Sequence, residues 1–423
     1  MKILVTGATG LIGAAVVARL AREGHQLVRV VRNGAGHDDD VVVRDFADAT
    51  VPADWMAPLQ GVDAVVNCAG VLQDSPRDST RAVHVDGLAA LIAACEQLGV
   101  QRFIHMSAIG TERDPLSEFS STKRAGEALL FGSALDWIVL RPSVVVGRAA
   151  YGGSAMFRGL AALPLLPQLP DVGLLQIVQL DDVTETVVRV LQGPARLTLD
   201  LAGPESLTMV EVIRAYRRWL GWRPARIVSV PPVAAAVLYW IGDMIAWLGW
   251  RSPVRSTARH ELTRGAVGDN SEWMQLTGIT PQALGAALAA EPASVQERWF
   301  ARLYFVKPFA FVMFPVFWIV TGLISVGPGY ETGRALMLEA GAGQLAGFAV
   351  AAGALADIVI GVAIAFRRTA RIGLYAALAV SVCYFFAGGI LVPRLWIDPL
   401  GPLLKIWPII GVNLAMLAML PER

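Results

Sequence analysis

Met1-Lys2-Ile3-Leu4-Val5-Thr6-Gly7-Ala8-Thr9-Gly10-Leu11-Ile12-Gly13 opens the chain and decides its fold. Ile3 to Val5 reads as a buried parallel strand, Thr6 to Gly10 as a tight turn, and Leu11 to Leu20 as an apolar helical run. A strand feeding a helix this way leaves unpaired backbone N–H groups at the helix start, where a pyrophosphate can sit. Gly7 permits the sharp turn. Gly10 lets phosphates approach the backbone, and Gly13 lets strand and helix pack closely. The stretch therefore predicts dinucleotide binding.

Strand and helix patterns then alternate. Strands are expected at 26–31, 41–43, 64–66, 102–106, 136–140 and 197–202, with helices between them, one of them running from about 79 to 98. This is the pattern of an α/β protein with a doubly wound parallel sheet, a Rossmann fold. About 20 positions past the glycines, an acid would hold the ribose 2′-OH of NAD. Arg32 stands there instead, with Arg29 upstream. A guanidinium suits a 2′-phosphate, so NADP(H) is expected over NAD. Asp45 would cap the next turn or accept from the adenine amine. The small residues of Asn67-Cys68-Ala69-Gly70 would let adenosine lie against the backbone.

With 423 residues the chain is long enough for two or three domains. Apolar residues make up 55% and charged residues 17%, with a net charge of +1, so no basic excess points to nucleic acid. Cys68, Cys95 and Cys383 are too few and scattered for a disulfide frame or a metal site. The opening apolar run is too short for a signal peptide, so the first domain is expected in the cytoplasm.

Thr6 to Gly13, Asn67 to Gly70, Ser107 ahead of Lys123, and Arg141-Pro142-Ser143-Val144-Val145 together resemble an extended or atypical short-chain dehydrogenase/reductase. The nearest likeness is to the branch containing the dehydrogenase-like accessory subunit of respiratory complex I. The resemblance implies a cofactor cradle of Gly7, Thr9, Gly10, Leu11, Ile12, Gly13, Arg32, Asp45, Phe46, Ala69, Gly70, Lys123, Pro142 and Val144. It places Ser107 and Lys123 as catalytic. The family tyrosine, four residues before the lysine, is Phe119 here. That tyrosine moves the proton that accompanies hydride transfer, and phenylalanine has no proton to give. Lys123 would then serve the nicotinamide ribose alone.

Further along, Thr208 and Glu211 read as a capping box. Residues 233–250 form an apolar run with Trp240, Trp247 and Trp250, broken by Asp243. It suits an interfacial helix or a wall of the substrate pocket better than a span. A short helix is expected over 281–290, with Thr280 as its cap.

After Lys307 the character changes. Residues 308–330, 341–366, 373–393 and 403–420 are long apolar runs, which predicts a four-helix transmembrane bundle. Arg298, Arg302, Lys307, Arg367, Arg368 and Arg371 flank one side. The positive-inside rule then puts both termini in the cytoplasm of a bacterium, at its inner membrane. Asp357 lies mid-span, facing inward, where Asn413 or Lys405 is a candidate partner. It would mark a proton or quinone-head site, or a structural hydrogen bond. The four-span layout and the segment Pro393 to Lys405 resemble the DoxX-like membrane family.

The organisation expected is a nucleotide-binding domain over 1–230, an interfacial and linker region over 231–300, and a membrane domain over 301–423. Two functions fit. One is a membrane-anchored NAD(P)H-dependent reductase of a lipophilic or quinone substrate. The other is a non-catalytic nucleotide-binding accessory, assembly or redox-sensing subunit with a membrane-protein partner.

Overall fold

The computed structural model describes residues 1–32, 40–75, 78–250 and 254–420. The chain divides into two compact units, Met1–Asp243 with Pro253–Ala301, and Met244–Ser252 with Arg302–Arg423.

The first unit is built on a seven-stranded sheet. Its strands are β1 (Lys2–Thr6), β2 (Gln26–Val31), β3 (Val41–Val43), β4 (Ala64–Asn67), β5 (Arg102–Met106), β6 (Asp136–Pro142) and β7 (Leu197–Leu201). All pairings are parallel, in the order β7-β6-β5-β4-β1-β2-β3. The order reverses between β1 and β4, and ligands of such sheets bind in the crevice beyond the strand ends at that point. Helices cover both faces, so the strands are apolar on both sides. Leu4, Val65, Phe103 and Val139 enter one core, with Trp55 and Leu91. Ile3, Val5, Val66, Ile104, Ile138 and Leu140 enter the other, with Val16 and Val187.

Helix α1 (Leu11–Arg22) follows β1, and Gly24, at φ +78°, ends it. The helix expected from residue 79 contains a wide π-turn over Ala82–Asp86 before it continues as α2 (Gly87–Leu98). Next come α3 (Glu118–Phe131), α4 (Leu180–Val190) and α5 (Met209–Trp219). Thr208 and Glu211 form the expected box at the start of α5, Thr208 Oγ1 accepting from Glu211 N at 3.3 Å and Glu211 Oε2 from Thr208 N at 2.8 Å. Then come α6 (Pro232–Trp247) and α7 (Ser256–Arg264). The expected helix at 281–290 begins later, at Leu284. Gln282 N donates to Asp182 Oδ2 at 3.3 Å, which holds the preceding residues off the helix. Two small sheets were not foreseen. One joins Val144–Val146, Leu175–Gln179 and Ser206–Leu207, and the other joins Leu165–Gln168 and Arg226–Ser229.

The second unit packs α8 (Val306–Val326), α9 (Ala346–Ala365), α10 (Ala370–Leu391) and α11 (Ile406–Met419). Three helical stretches among the described residues are long and apolar enough to cross a membrane: Val295–Val326, Gly343–Ala365 and Ala370–Leu391. The fourth expected span is shorter. Turns over 402–405 precede α11, whose 14 residues reach about 21 Å at 1.5 Å each. Helices α8 and α9 touch backbone to backbone. A Cβ on Gly322 would stand 2.5 Å from Ala354 O, and one on Gly361 would stand 2.8 Å from Pro315 O. Asp357 of α9 is buried, as expected, but its partner is the Tyr384 hydroxyl of α10, at 3.4 Å. Asn413 is not that partner, because it lies beside the start of α10 and donates to Leu374 O at 3.1 Å.

One of the closest backbone approaches in the first unit lies in the turn after β1. A Cβ on Gly13 would stand 2.1 Å from Gly7 O, whereas one on Gly285 would meet nothing within 4 Å. Gly13→Ala should therefore destabilise by about 1–3 kcal/mol, as overpacking does. Gly285→Ala, in a helix, should be neutral or stabilise by up to about 1 kcal/mol. Thermal unfolding of the purified chain checks this, and equal melting shifts for the two variants would contradict the contact.

Candidate nucleotide-binding and reaction site

The site begins at the turn between β1 and α1. Gly7 has φ +63°, and a Cβ there would stand 2.7 Å from Cys68 O, just past the end of β4. Gly10 is the N-cap of α1, with neither a side-chain cap nor an acidic residue in the first turn. The N–H groups of Leu11 and Ile12 are thus left for an anion, in the positive field of the helix start. Below the turn, Thr6 Oγ1 donates to Asn67 Oδ1 at 2.5 Å and Asn67 Nδ2 donates to His105 Nδ1 at 3.0 Å. Ala69 N donates to both Thr6 Oγ1 and Asn67 Oδ1, so Asn67 fixes the backbone that Gly7 approaches. Burial holds His105 well below the ordinary histidine range.

Arg32 follows β2 and pairs with Asp78, and its Nε lies 3.5 Å from Asp45. Asp45 also caps its own turn, accepting from Ala47 N at 3.0 Å. Arg29 leaves this group, its guanidinium 2.7 Å from Asp40. Phe46 turns its ring into the core against Trp55, 5.2 Å between centroids, so it can offer a nucleotide only its backbone. Pro142 ends β6 and Val144 begins the short strand after it, both at the carboxyl end of the sheet.

Lys123 is buried, and its Nζ donates to Met106 O at 2.8 Å. Its amine lies beside exposed Gly70, where a Cβ would stand 3.3 Å from Nζ. Burial brings Lys123 down to about 8, with Glu127 and Cys68 acting the other way.

The sequence reading did not include His84, which sits in the π-turn, a feature common at functional sites. Its Nε2 accepts from Val71 N at 3.1 Å. This assigns the proton to Nδ1, which donates to Thr122 Oγ1 at 2.9 Å. Thr122 in turn donates to Glu118 O and Phe119 O, each at 3.0 Å. Burial takes His84 down to about 2, so the ring is neutral. The Phe119 ring meets it edge-on, 5.6 Å between centroids.

Ser107 is placed at the end of β5, as expected, but it is committed elsewhere. Its hydroxyl donates to Glu127 Oε1 at 2.5 Å. That buried carboxylate also accepts from Thr111 Oγ1 at 3.1 Å and from both ends of the Arg141 guanidinium, at 2.9 and 2.6 Å. Glu261 of α7 is a second carboxylate that the sequence reading lacked. It accepts from Ser117 and Ser120, the residues flanking Glu118 and Phe119. Ser107 and Glu127 are 20 residues apart, and Ser120 and Glu261 are 141 apart, so only the tertiary fold brings them together.

Residues 7–161 match the family of NAD(P)H-binding proteins, and residues 315–414 match the DoxX-like family. The chain joins an NAD(P)H-binding domain to a DoxX-like domain. A ceramide reductase of Caulobacter vibrioides is 24% identical over 237 residues, covering 54% of this chain and 73% of that protein. A chloroplastic divinyl chlorophyllide a 8-vinyl-reductase of Zea mays is 30% identical over 273 residues, 58% of this chain and 66% of that one. An uncharacterized protein of Mycobacterium tuberculosis is 29% identical over 227 residues, and the chain spans only 23% of its length. Among solved structures, UDP-glucuronic acid 4-epimerase from Bacillus cereus, in complex with UDP-glucuronic acid and NAD, superposes with a TM-score of 0.51. It is 18% identical and covers 72% of this chain and all of its own (100%). The Bordetella bronchiseptica enzyme WbmG, in complex with NAD, gives 0.53 at 17% identity, over 69% and 92%. These two likenesses show the fold.

The residues present fit a nicotinamide dinucleotide. The turn leaves room that a Cβ would fill, the helix start is uncapped, and a buried amine lies next to exposed Gly70. Bound there, the cofactor would supply a hydride, and the start of α1 would hold its phosphates and Lys123 its ribose.

The Glu127 network sets a stability test. Arg141→Leu strips the buried carboxylate of its cation and should cost about 3–5 kcal/mol. Ser107→Ala removes one of its several donors and should cost only about 1 kcal/mol. Chemical denaturation with an NADPH-binding readout distinguishes them, and a Ser107→Ala loss as large as that of Arg141→Leu would show that the network is not organised around the ion pair.

Proposed function

We propose that the chain is a membrane-anchored, NADPH-preferring reductase whose substrate is a lipophilic, conjugated acceptor of the quinone kind. The observation that carries this reading is Phe119, packed on a neutral histidine one turn before Lys123. The nucleotide site is equipped to deliver a hydride, yet the side chain at the usual proton donor's place has no proton. A simple ketone needs that proton as the alkoxide forms. A quinone reduced by hydride gives a stabilised oxyanion that takes its proton from water. The ceramide reductase and the vinyl reductase among the relatives support reductive chemistry, and the DoxX-like domain supports a substrate dissolved in the bilayer. In this reading the reductase unit faces the cytoplasm of a bacterium, and the arginines flanking α8 and those between α9 and α10 hold that orientation.

Arg32 supports NADPH, since a 2′-phosphate can take its guanidinium from Asp45 and Asp78. NADPH should bind at least several-fold more tightly than NADH, and Arg32→Asp should narrow or reverse the gap. Gly10→Val should abolish binding of both. The pH dependence has a definite sign. Lys123 is cationic below about 8 and loses its charge above it. Affinity for the anionic dinucleotide should fall as pH rises through that value, and Lys123→Met should lack the step. Fluorescence titration of both nucleotides from pH 6.5 to 9.5 (about 1.5 units either side of the step) measures all of this. Equal affinities for the two nucleotides would refute the NADPH preference.

General acid–base assistance is worth about 10²- to 10⁴-fold. Phe119→Tyr should therefore raise reduction of simple carbonyls at least about tenfold, with little change in nucleotide affinity or in quinone reduction. A robust native ketone reductase that is lost on Ser107→Ala would overturn the reading. A second reading, the non-catalytic nucleotide-binding subunit, is favoured by one observation: Ser107 and Phe119 are both committed to packing or to Glu127. No turnover with quinones or carbonyls, in either form of the protein, would select it.

A further inference from the structure

Helix α6 has an inverted surface. Its buried positions are Ala235, Tyr239, Gly242 and Ala246, spaced by four, three and four residues. That is one narrow stripe, made mostly of small residues. The rest of the circumference is apolar and exposed: Val233 at 76%, Trp240 at 62%, Trp247 at 75%, with Val237 and Met244 about half exposed. A helix on the surface of a soluble domain presents polar groups there. Contiguous apolar surface of this kind marks an interaction site. The helix has one charged side chain, Asp243, and it turns back to protein, accepting from Arg255 Nε at 3.1 Å and from the Ser256 hydroxyl.

The residues that follow say what covers this face. Met244 to Trp250 belong to the second unit. Trp250 Nε1 donates to Ala365 O at 2.7 Å, at the last residue of α9. The Trp250 ring packs on Phe311 near the start of α8, 4.6 Å between centroids. Arg367 N donates to Leu248 O at 3.1 Å, and its guanidinium lies 5.3 Å from the Trp250 ring. The end of α6 is therefore pinned beside the first turns of α8 and the last residue of α9, next to an arginine. The end of a helix that crosses a bilayer falls at the boundary between headgroups and acyl chains. Tryptophan and arginine are the residues that settle there.

We propose that α6 lies in the plane of the membrane, its Val233, Val237, Trp240, Met244 and Trp247 face sunk into the lipid at the headgroup–acyl boundary. The occupant of the exposed face is the bilayer itself. At 16 residues the helix is about 24 Å long, and without the continuous apolar length of a span it rests on the leaflet. The proposal does not depend on which reaction the first unit carries out.

The test uses the unmodified full chain in vesicles of phosphatidylethanolamine and phosphatidylglycerol. A trace phosphatidylcholine carries a photoactivatable diazirine, either near the headgroup end of its acyl chain or at the terminal carbon. After illumination, labelled residues are mapped by mass spectrometry, with exposed Phe317 of α8 as the membrane-embedded reference. The expected result is labelling of Val237, Trp240 and Met244 by the headgroup-proximal probe and its loss with the terminal probe, while Ala235 and Ala246 stay unlabelled. Labelling confined to α8, α9 and α10 would overturn the proposal, whether water, a second copy or another protein covers the face. Equal labelling of α6 by both probes would overturn the in-plane orientation.

Discussion

Backbone meets backbone where β1 passes into α1, and the rest of the first unit is arranged around that contact. Gly13 sits where any side chain would strike the Gly7 carbonyl, and Gly7 sits where one would strike the Cys68 carbonyl. Strand, helix and neighbouring strand are therefore closer than side chains allow. The contact brings the uncapped start of α1 to the reversal point of the sheet, where a ligand can reach it. The Thr6–Asn67–His105 chain holds the β4 side of the same approach from below. The second unit repeats the device in a different setting, with Gly322 and Gly361 bringing α8 and α9 together.

The proton-handling side of the site is built differently from its nucleotide side. Hydroxyls stand near Phe119, but they are already engaged: Ser107 serves Glu127, Ser117 and Ser120 serve Glu261, and Thr122 serves backbone carbonyls. Glu127 is in turn balanced by Arg141. These polar groups are satisfied by one another, which favours a rigid, well-defined wall over a reactive one. Lys123 is the exception, since its amine is buried yet borders exposed Gly70.

The sheet was legible in the sequence because its strands are short apolar runs separated by turn residues, and because Gly7, Gly10 and Gly13 have a local geometric purpose. The capping box at Thr208 was legible for the same reason: its donors and acceptors lie three residues apart. The Glu127 and Glu261 networks were not, since hydrogen-bond partners far apart in the chain leave no periodic signal. The π-turn was hidden because one extra residue in a helical turn leaves the apolar pattern of 79–98 almost unchanged. The last apolar run is longer in the sequence than its helix, Ile406–Met419, because hydropathy counts residues 403–405 that the chain uses for a turn. Asp357 was correctly read as facing inward from burial logic alone. Its partner depended on which turn of α10 lies at its depth, and sequence spacing does not contain that.

The hydrogen-bond chain through His84 has a direction. Val71 N–H donates to the ring, the ring donates to Thr122, and the hydroxyl donates to carbonyls in the first turn of α3. Each link gives its hydrogen the same way, and the last acceptor is an amide oxygen that cannot pass a proton on. The chain begins at an amide N–H, which does not release one either. It is therefore a strut and not a proton wire. It fixes the spacing between the loop after β4 and the helix that carries Phe119 and Lys123, and it conducts nothing to the place where a tyrosine would have needed a supply.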